Sequence, residues 1–566
     1  MVGRLGIAAL SGLLALATPA FSLWPIPSSL SEGTTVIKLS SSFSIQLSGS
    51  LTTKNAPSDL KDAVTRTLSQ LKNDKMDRLI IGGSASDASS LNKAPTLTSL
   101  RVVYSGNTRN LLSIAQNAQL PIGQRYEDYS LSVPAGGVAT LTSNSTLGLF
   151  RGLTTFTQLW YTYQNTIYAV SAPVTISDKP AYPWRGFMLD TARNYYPVAD
   201  ILRTLDGMSW VKQNVFHWHI VDSQSFPMEV PGFPELSAKG AYSSSQVYTQ
   251  AQIAEVIAYA GARGIDVMLE IDTPGHTSII GHSHPDYIAC FEAAPWASYA
   301  NEPPAGQLRL AAPEVLTFTT ELFTAVLNKN YAGTLFSTGG DEINANCYNT
   351  DNATQAELAS KGITFDQALS DFVVNGHAAV RKAGKTPVVW EEMVLSNPVT
   401  LGNDTVVLVW ISSDDAAAVV QKDFRIVHAP SDYFYLDCGG GGWVGDYVPG
   451  NSWCDPFKTW QKAYSFDPLA NITADQASLV LGGQHLLWSE QSGPDNLDPI
   501  VWPRAAASAE IFWTGATLPD GTAANTKEAL PRLHDIRYRM VQRGINAINL
   551  QPHWCAVRPD KCDLSA

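Results

Sequence analysis

Two adjacent carboxylates, Asp341 and Glu342, close the run Leu335-Phe-Ser-Thr-Gly-Gly-Asp-Glu342. A short apolar run bounded by glycine reads as a buried strand. Neighbouring side chains on a regular strand point to opposite faces. Past Gly339 and Gly340 the backbone is free to turn, so both acids can address one pocket. A general acid beside a second, charge-stabilising carboxylate is the chemistry such a pair can offer. An Asp-Glu dipeptide is also a common solvated strand end, so the other strand ends of the chain decide between the two.

From residue 185 onward, strand and helix patterns alternate. The strand candidates are 186–191, 215–222, 266–273, 335–342, 387–392, 405–412, 433–437 and 479–490. Between them lie helical stripes at 198–213, 250–263, 313–329, 365–383 and 499–513, and a last amphipathic helix at 528–543. Alternation of this kind marks a parallel sheet with crossover helices, and eight strands imply a (β/α)8 TIM barrel. Active sites of such barrels gather at the carboxyl ends of the strands. Here those ends carry Asp190 and Arg193; His219 and Asp222; Asp272 and His276; Asp341 and Glu342; Trp390 and Glu391; Trp410; Tyr435 and Asp437; and Trp488 and Glu490. Carboxylates accept hydrogen bonds from sugar hydroxyls, and indoles cover the apolar face of a pyranose. A rim of acids, indoles and one arginine therefore suits a neutral sugar. No HExxH motif occurs, which excludes a zinc protease of that type.

Residues 23–180 precede this barrel domain (181–548) and read as a smaller α/β accessory domain. It has strand patterns at 35–47, 100–104 and 129–133, and helical ones at 59–71 and 147–161. Residues 82–97, rich in Gly, Ser, Ala and Asp, read as a mobile loop or processing site. Residues 1–22 have the form of an export signal. Arg4 supplies the positive end, 7–17 are apolar, and Ala20-Phe21-Ser22 offers a small-x-small cleavage site. No later stretch is long and apolar enough to suggest a membrane span. Four acceptor triplets, at Asn144, Asn352, Asn403 and Asn471, agree with export.

The formal charge is −13 and the pI about 5.2, which opposes nucleic-acid and anionic-membrane partners. All six cysteines lie after residue 289. An exported chain with an even number favours disulfides. Sequential pairing is expected because each pair then closes a local loop: Cys290 with Cys347, Cys438 with Cys454, and Cys555 with Cys562. The last staples a tail over 549–566.

Six stretches then identify a resemblance. They are Arg185-Gly-Phe-Met-Leu-Asp-Thr-Ala-Arg-Asn-Tyr195, Asn214-Val-Phe-His-Trp-His-Ile-Val-Asp222, Glu270-Ile-Asp-Thr-Pro-Gly-His276, Gly339-Gly-Asp-Glu342, Tyr435-Leu-Asp437 and Trp488-Ser-Glu490. In this order they resemble the family-20 glycoside hydrolases, the β-N-acetylhexosaminidases, and most closely the secreted fungal ones. The resemblance implies an exo-acting, retaining, substrate-assisted enzyme without metal or organic cofactor, and a homodimer. Glu342 is implied as the general acid, with a raised pKa, and Asp341 as the partner of the acetamido group. Arg193 matches the residue on the 3- and 4-hydroxyls, Glu490 that on the 4-hydroxyl and Asp437 that near the 6-hydroxyl. Tyr435 matches the donor to the acetamido carbonyl. Trp390 and Trp410 match walls of the acetyl group, and Trp488 the floor of the ring. Asp222, Asp272 and His276 match the polar support of the acid. Two features depart from the pattern: Ser223 where many relatives have a second Asp, and the run Cys438-Gly-Gly-Gly-Gly-Trp443. A chitinase-like endo-enzyme and a catalytically silent sugar-binding protein are the competing readings.

Overall fold

The computed structural model describes residues 23–327, 331, 333–446 and 448–566, so the expected export signal lies outside the described residues. Six strands form the sheet of the N-terminal domain: Ser29–Gly49, Thr96–Tyr104, Tyr129–Val133, Gly137–Ser143, Tyr161–Tyr163 and Thr166–Asp178. Helix Ser58–Asn73 buries Leu60, Ala63, Thr67 and Leu71, the three-to-four spacing of one helical face. Helix Thr146–Gln158 is buried at every position, because it is sandwiched between its own sheet and the barrel. Residues 82–97 are folded, contrary to the mobile loop expected. They form a 3-10 turn, Gly83–Asp87, and a helical turn, Ala88–Leu91. Arg78 pairs with Asp87 at 3.0 Å, and the Tyr168 hydroxyl donates to the same carboxylate at 2.8 Å. The polar composition that suggested a loop supplies these turn contacts instead.

The barrel closes in the order expected of eight parallel strands: Trp184–Asp190, Val215–Val221, Asp266–Ile271, Leu335–Ser337, Thr386–Trp390, Val406–Val409, Arg425–His428 and Val480–Leu487, with the last paired back to the first. The seventh strand differs from expectation. It is Arg425–His428, not 433–437, which instead spans the end of a helical turn, Ser431–Phe434, and the residues after it. A four-residue strand leaves little pattern, whereas the aromatic run after it mimics a buried strand. Tyr435 still forms an isolated parallel bridge to Leu486, so the rim residues it introduces keep their place. The helix expected at 499–513 is two helices, Leu497–Val501 and Arg504–Thr514, interrupted at Pro503, whose ring and missing N–H do not continue a helix.

Trp24 from the N-terminal segment sits in the barrel core, and Trp513 from the barrel sits in the core of the other domain. Buried Glu127 takes Arg185 at 2.6 Å and Arg151 at 2.7 Å. Lys212 reaches Asp178 at 2.8 Å beside Trp513. The domain boundary is thus a shared interior held by buried ion pairs. The three disulfides join the expected sequential pairs. Asn144, Asn352, Asn403 and Asn471 are all exposed.

Candidate active site

The fourth strand, Leu335–Ser337, ends early, and Gly339 and Gly340 turn the chain across the barrel mouth. Gly339 has φ +68°, and a Cβ there would stand 1.8 Å from Asp272 Oδ1. Only glycine admits both the left-handed backbone and that approach. The Gly340 N–H donates to Asp272 Oδ1 at 2.8 Å. The turn therefore presses Asp341 against Asp272 and sends Glu342 beside His276. Glu342 and His276 both hold left-handed backbones, φ +53° and +52°. Such conformations cost on the order of 1–3 kcal/mol each and gather at functional sites.

A continuous chain of charge runs from this pair. His276 Nε2 lies 3.4 Å from Glu342 Oε2 and 3.8 Å from Asp341 Oδ2, while Nδ1 lies 3.1 Å from Asp222 Oδ1. Arg193 reaches Asp222 at 3.0 Å, Asp190 at 3.1 Å and Glu302 at 2.5 Å. Asp190 also accepts from Ser489 N–H at 3.0 Å, tying the first strand end to the eighth. Below, His219 bridges Glu270 at 2.6 Å and Asp222 at 2.7 Å. Burial opposes charge on that ring, but the two carboxylates lift its pKa to about 10. Ser223 donates its backbone N–H to Asp222.

Burial and the Asp272 carboxylate raise Asp341 well above the ordinary range. Burial raises Asp272 to about 7 as well. Asp341 Oδ1 is buried without a hydrogen-bond partner among the described residues. Glu342 runs against the raised pKa expected of it. Burial pushes its carboxyl up, but hydrogen bonding and charge from His276 outweigh burial and hold it below the ordinary range. His276 is itself raised despite burial, chiefly by Asp222 and Asp341.

Above these groups lies a cavity of about 470 Å³, lined in part by Glu342, Trp410, Asp437 and Glu490. Trp390 is fully enclosed beneath it, 6.1 Å from Trp488 between ring centres and 5.8 Å from His217. Tyr435 is likewise enclosed and stacks on Trp410 at 6.2 Å. Trp410 is fixed by Glu391, which accepts its backbone N–H, and by Glu392, which accepts its indole N–H, both at 2.9 Å. Arg193 lies over the Trp488 ring at 5.0 Å. All the expected residues thus meet at one end of the barrel.

Sequence reasoning missed Glu302, Asn301, Glu392, Trp296 and Trp453. Glu302 and Asn301 sit on the loop tied down by Cys290–Cys347, and Trp453 on the insert tied by Cys438–Cys454, where it lines the cavity and meets Trp410 edge-on at 5.7 Å. The two disulfides, each stapling a loop to the mouth, were the available signal.

A closed parallel barrel with an acid pair, an arginine and indoles at its carboxyl end defines a barrel glycoside hydrolase. Residues 182–516 match the family described as glycosyl hydrolase family 20, catalytic domain, and residues 23–159 match one described as beta-acetyl hexosaminidase like. The chain belongs to glycoside hydrolase family 20. It is 37% identical over 458 residues to a beta-hexosaminidase of Arthroderma benhamiae, covering 77% of this chain and 74% of that one. It is 36% identical over 457 residues to a chitooligosaccharidolytic beta-N-acetylglucosaminidase of Ostrinia furnacalis, covering 77% and 75%. Among solved structures, Flavobacterium johnsoniae chitobiase matches with a TM-score of 0.72 at 25% identity, over 93% of this chain and 73% of that one.

Proposed function

We propose that the protein is an exo-acting β-N-acetylhexosaminidase that removes terminal non-reducing β-linked GlcNAc, and GalNAc, from chitooligosaccharides and glycans. The observation that carries this reading is the buried, unpartnered Oδ1 of Asp341 beside Glu342 at the barrel mouth. A buried acceptor without a donor is costly, and the N–H of a 2-acetamido group supplies one. Held there, the acetamido carbonyl attacks the anomeric carbon and closes an oxazolinium ion as the leaving oxygen takes the proton of Glu342. Water, deprotonated by Glu342, then opens the ring with overall retention. This is the substrate-assisted exception to the two-carboxylate scheme.

The proton inventory supports the roles. With the acetamido N–H donating to it, Asp341 is favoured in its charged form, which stabilises the oxazolinium. Glu342 is held ionised in the open pocket by His276. A bound sugar expels water and raises the cost of that charge, so the acid form is favoured once substrate is seated. Arg193 and Glu490 take the 3- and 4-hydroxyls, Asp437 the 6-hydroxyl, and Tyr435 the acetamido carbonyl. Trp488 lies under the ring, and Trp390 and Trp410 bound the acetyl pocket.

Three disulfides and four exposed acceptor asparagines support an exported protein, and no helix among the described residues is long and apolar enough to cross a membrane. The family resemblance favours a homodimer, which light scattering on the purified chain reads directly.

The test is hydrolysis of an aryl β-GlcNAc glycoside against its 2-hydroxy analogue. Turnover of the first alone is expected. Comparable turnover of both contradicts substrate assistance, and turnover of neither favours a silent binding protein.

A further inference from the structure

Three fully buried polar side chains beneath the acids, Ser337, Glu270 and His219, take no part in the chemistry above. A buried carboxylate is costly unless its oxygens are paired. Glu270 Oε1 lies 2.6 Å from His219 Nδ1, and its Oε2 accepts from the Ser337 hydroxyl and lies 3.2 Å from His217 Nε2. The opposite nitrogen of His219, Nε2, lies 2.7 Å from Asp222 Oδ2. Both nitrogens of that ring thus face carboxylate oxygens, which calls for two N–H donors, the state of an imidazolium.

The contacts continue at both ends and meet on one segment of chain. Asp222 Oδ1 lies 3.1 Å from His276 Nδ1, and His276 Nε2 lies 3.4 Å from Glu342 Oε2. At the other end, Ser337 is the last residue of the fourth barrel strand, and its hydroxyl accepts the Gly339 N–H at 3.3 Å. Gly339 begins the turn that delivers Glu342 to the barrel mouth. The path from Ser337 through Glu270, His219, Asp222 and His276 to Glu342 therefore leaves the fourth strand at its end and returns to the same segment just past the turn. Of its members only Glu342 lines the cavity. Without His219, Asp222 keeps Arg193 at 3.0 Å but loses its tie to the third strand. Without the Ser337 hydroxyl, Glu270 and the Gly339 turn lose their link. A displacement of about 1 Å at a reacting group can cost on the order of a hundredfold in rate.

We propose that Ser337, Glu270 and His219 are positioning residues for the general acid: they close a buried ring of contacts that fixes Glu342 from two sides, through His276 and through the Gly339 turn. The kinetic role rests on the function proposed above; the ring itself does not.

Steady-state kinetics of His219→Gln and Ser337→Ala on aryl β-GlcNAc glycosides tests the role. Each should lower kcat and kcat/KM together, by about tenfold to a hundredfold, where the leaving group needs a proton, and by less where it does not, with KM little changed. In the Glu342→Gln background the same substitutions should cost far less, because the group they position is gone. Equal losses on both kinds of leaving group, or full losses added to that of Glu342→Gln, overturn the role. Circular dichroism and melting check the fold; should His219→Gln fail to fold, Ser337→Ala, which removes one oxygen, decides alone. The ring is read without activity. Proton NMR of the full-length protein should show a far-downfield imidazole N–H signal that disappears in His219→Gln and shifts in Ser337→Ala. A signal that is absent, or blind to Ser337→Ala, overturns the ring. A chain inactive on β-GlcNAc with that signal behaving as expected overturns the function and leaves the ring standing.

Discussion

His276 faces Glu342 across 3.4 Å, and both residues hold left-handed backbones to do so. The imidazole is anchored behind by Asp222 at 3.1 Å, so the proton affinity of Glu342 is set by a ring whose position is fixed from the far side. Removing His276 removes the main influence that lowers Glu342. His276→Ala is therefore expected to raise the Glu342 pKa. The general acid must be protonated, so the alkaline limb of the kcat/KM profile moves to higher pH as kcat falls. His276 also lowers Asp341, so the acid limb moves up as well. A profile that falls in height without moving would contradict this coupling.

Asp341→Asn and Glu342→Gln should each lose about 3 kcal/mol of transition-state stabilisation, roughly a hundred- to thousandfold in kcat. The Glu342 variant should recover in part on substrates whose leaving group needs no proton, whereas the Asp341 variant should not. Steady-state kinetics on activated and unactivated β-GlcNAc glycosides reads the difference. Near-native turnover in either variant would remove its assignment.

Asp341 and Asp272 have raised pKa values in the fold, Asp272 to about 7. A carboxyl whose folded pKa lies above its unfolded one binds more protons when folded. Its stabilisation is present below about pH 4 and is lost as pH rises toward 7 and beyond. Asp341→Asn removes that loss, so the inactive variant should melt above the wild type at pH 8, by more than at pH 5. Scanning calorimetry at the two pH values tests this; an equal difference at both would refute it.

Glu127→Gln leaves Arg185 and Arg151 buried without their shared carboxylate. Breaking a buried ion pair from one side costs about 3–5 kcal/mol. Denaturant unfolding should show that loss while KM for a small aryl glycoside changes little, because the cluster lies between the domains rather than at the barrel mouth.

Cys454→Ser opens the loop closed by Cys438–Cys454, which spans 16 residues and carries Trp453. A loop of that length gives the disulfide about 3 kcal/mol by chain entropy. Loosening it should raise KM more for chitobiose, which extends to the rim, than for a small aryl glycoside.

The barrel was legible because its apolar runs and helical stripes alternate, a pattern set locally by backbone period. The acid pair was legible because two glycines precede it; any side chain at Gly339 would strike Asp272. The seventh strand was not, since Arg425–His428 is too short to carry a period and owes its state to pairing with Val406–Val409 and Val480–Leu487. Residues 82–97 went unread because hydrogen bonds to Tyr168 and Arg78, distant or turned back in sequence, hold them.

Residue order alone determined the class of fold and the identity of the groups at the strand ends, since each follows from local period or motif; of the 15 ways to pair six cysteines it only favoured the sequential one, which the fold adopts. Only the folded chain decided their charge. Glu302, 109 residues from Arg193, becomes its partner, and His276, not the neighbouring Asp341, governs Glu342. Proton affinity depends on distance and burial in space, and spacing along the chain records neither.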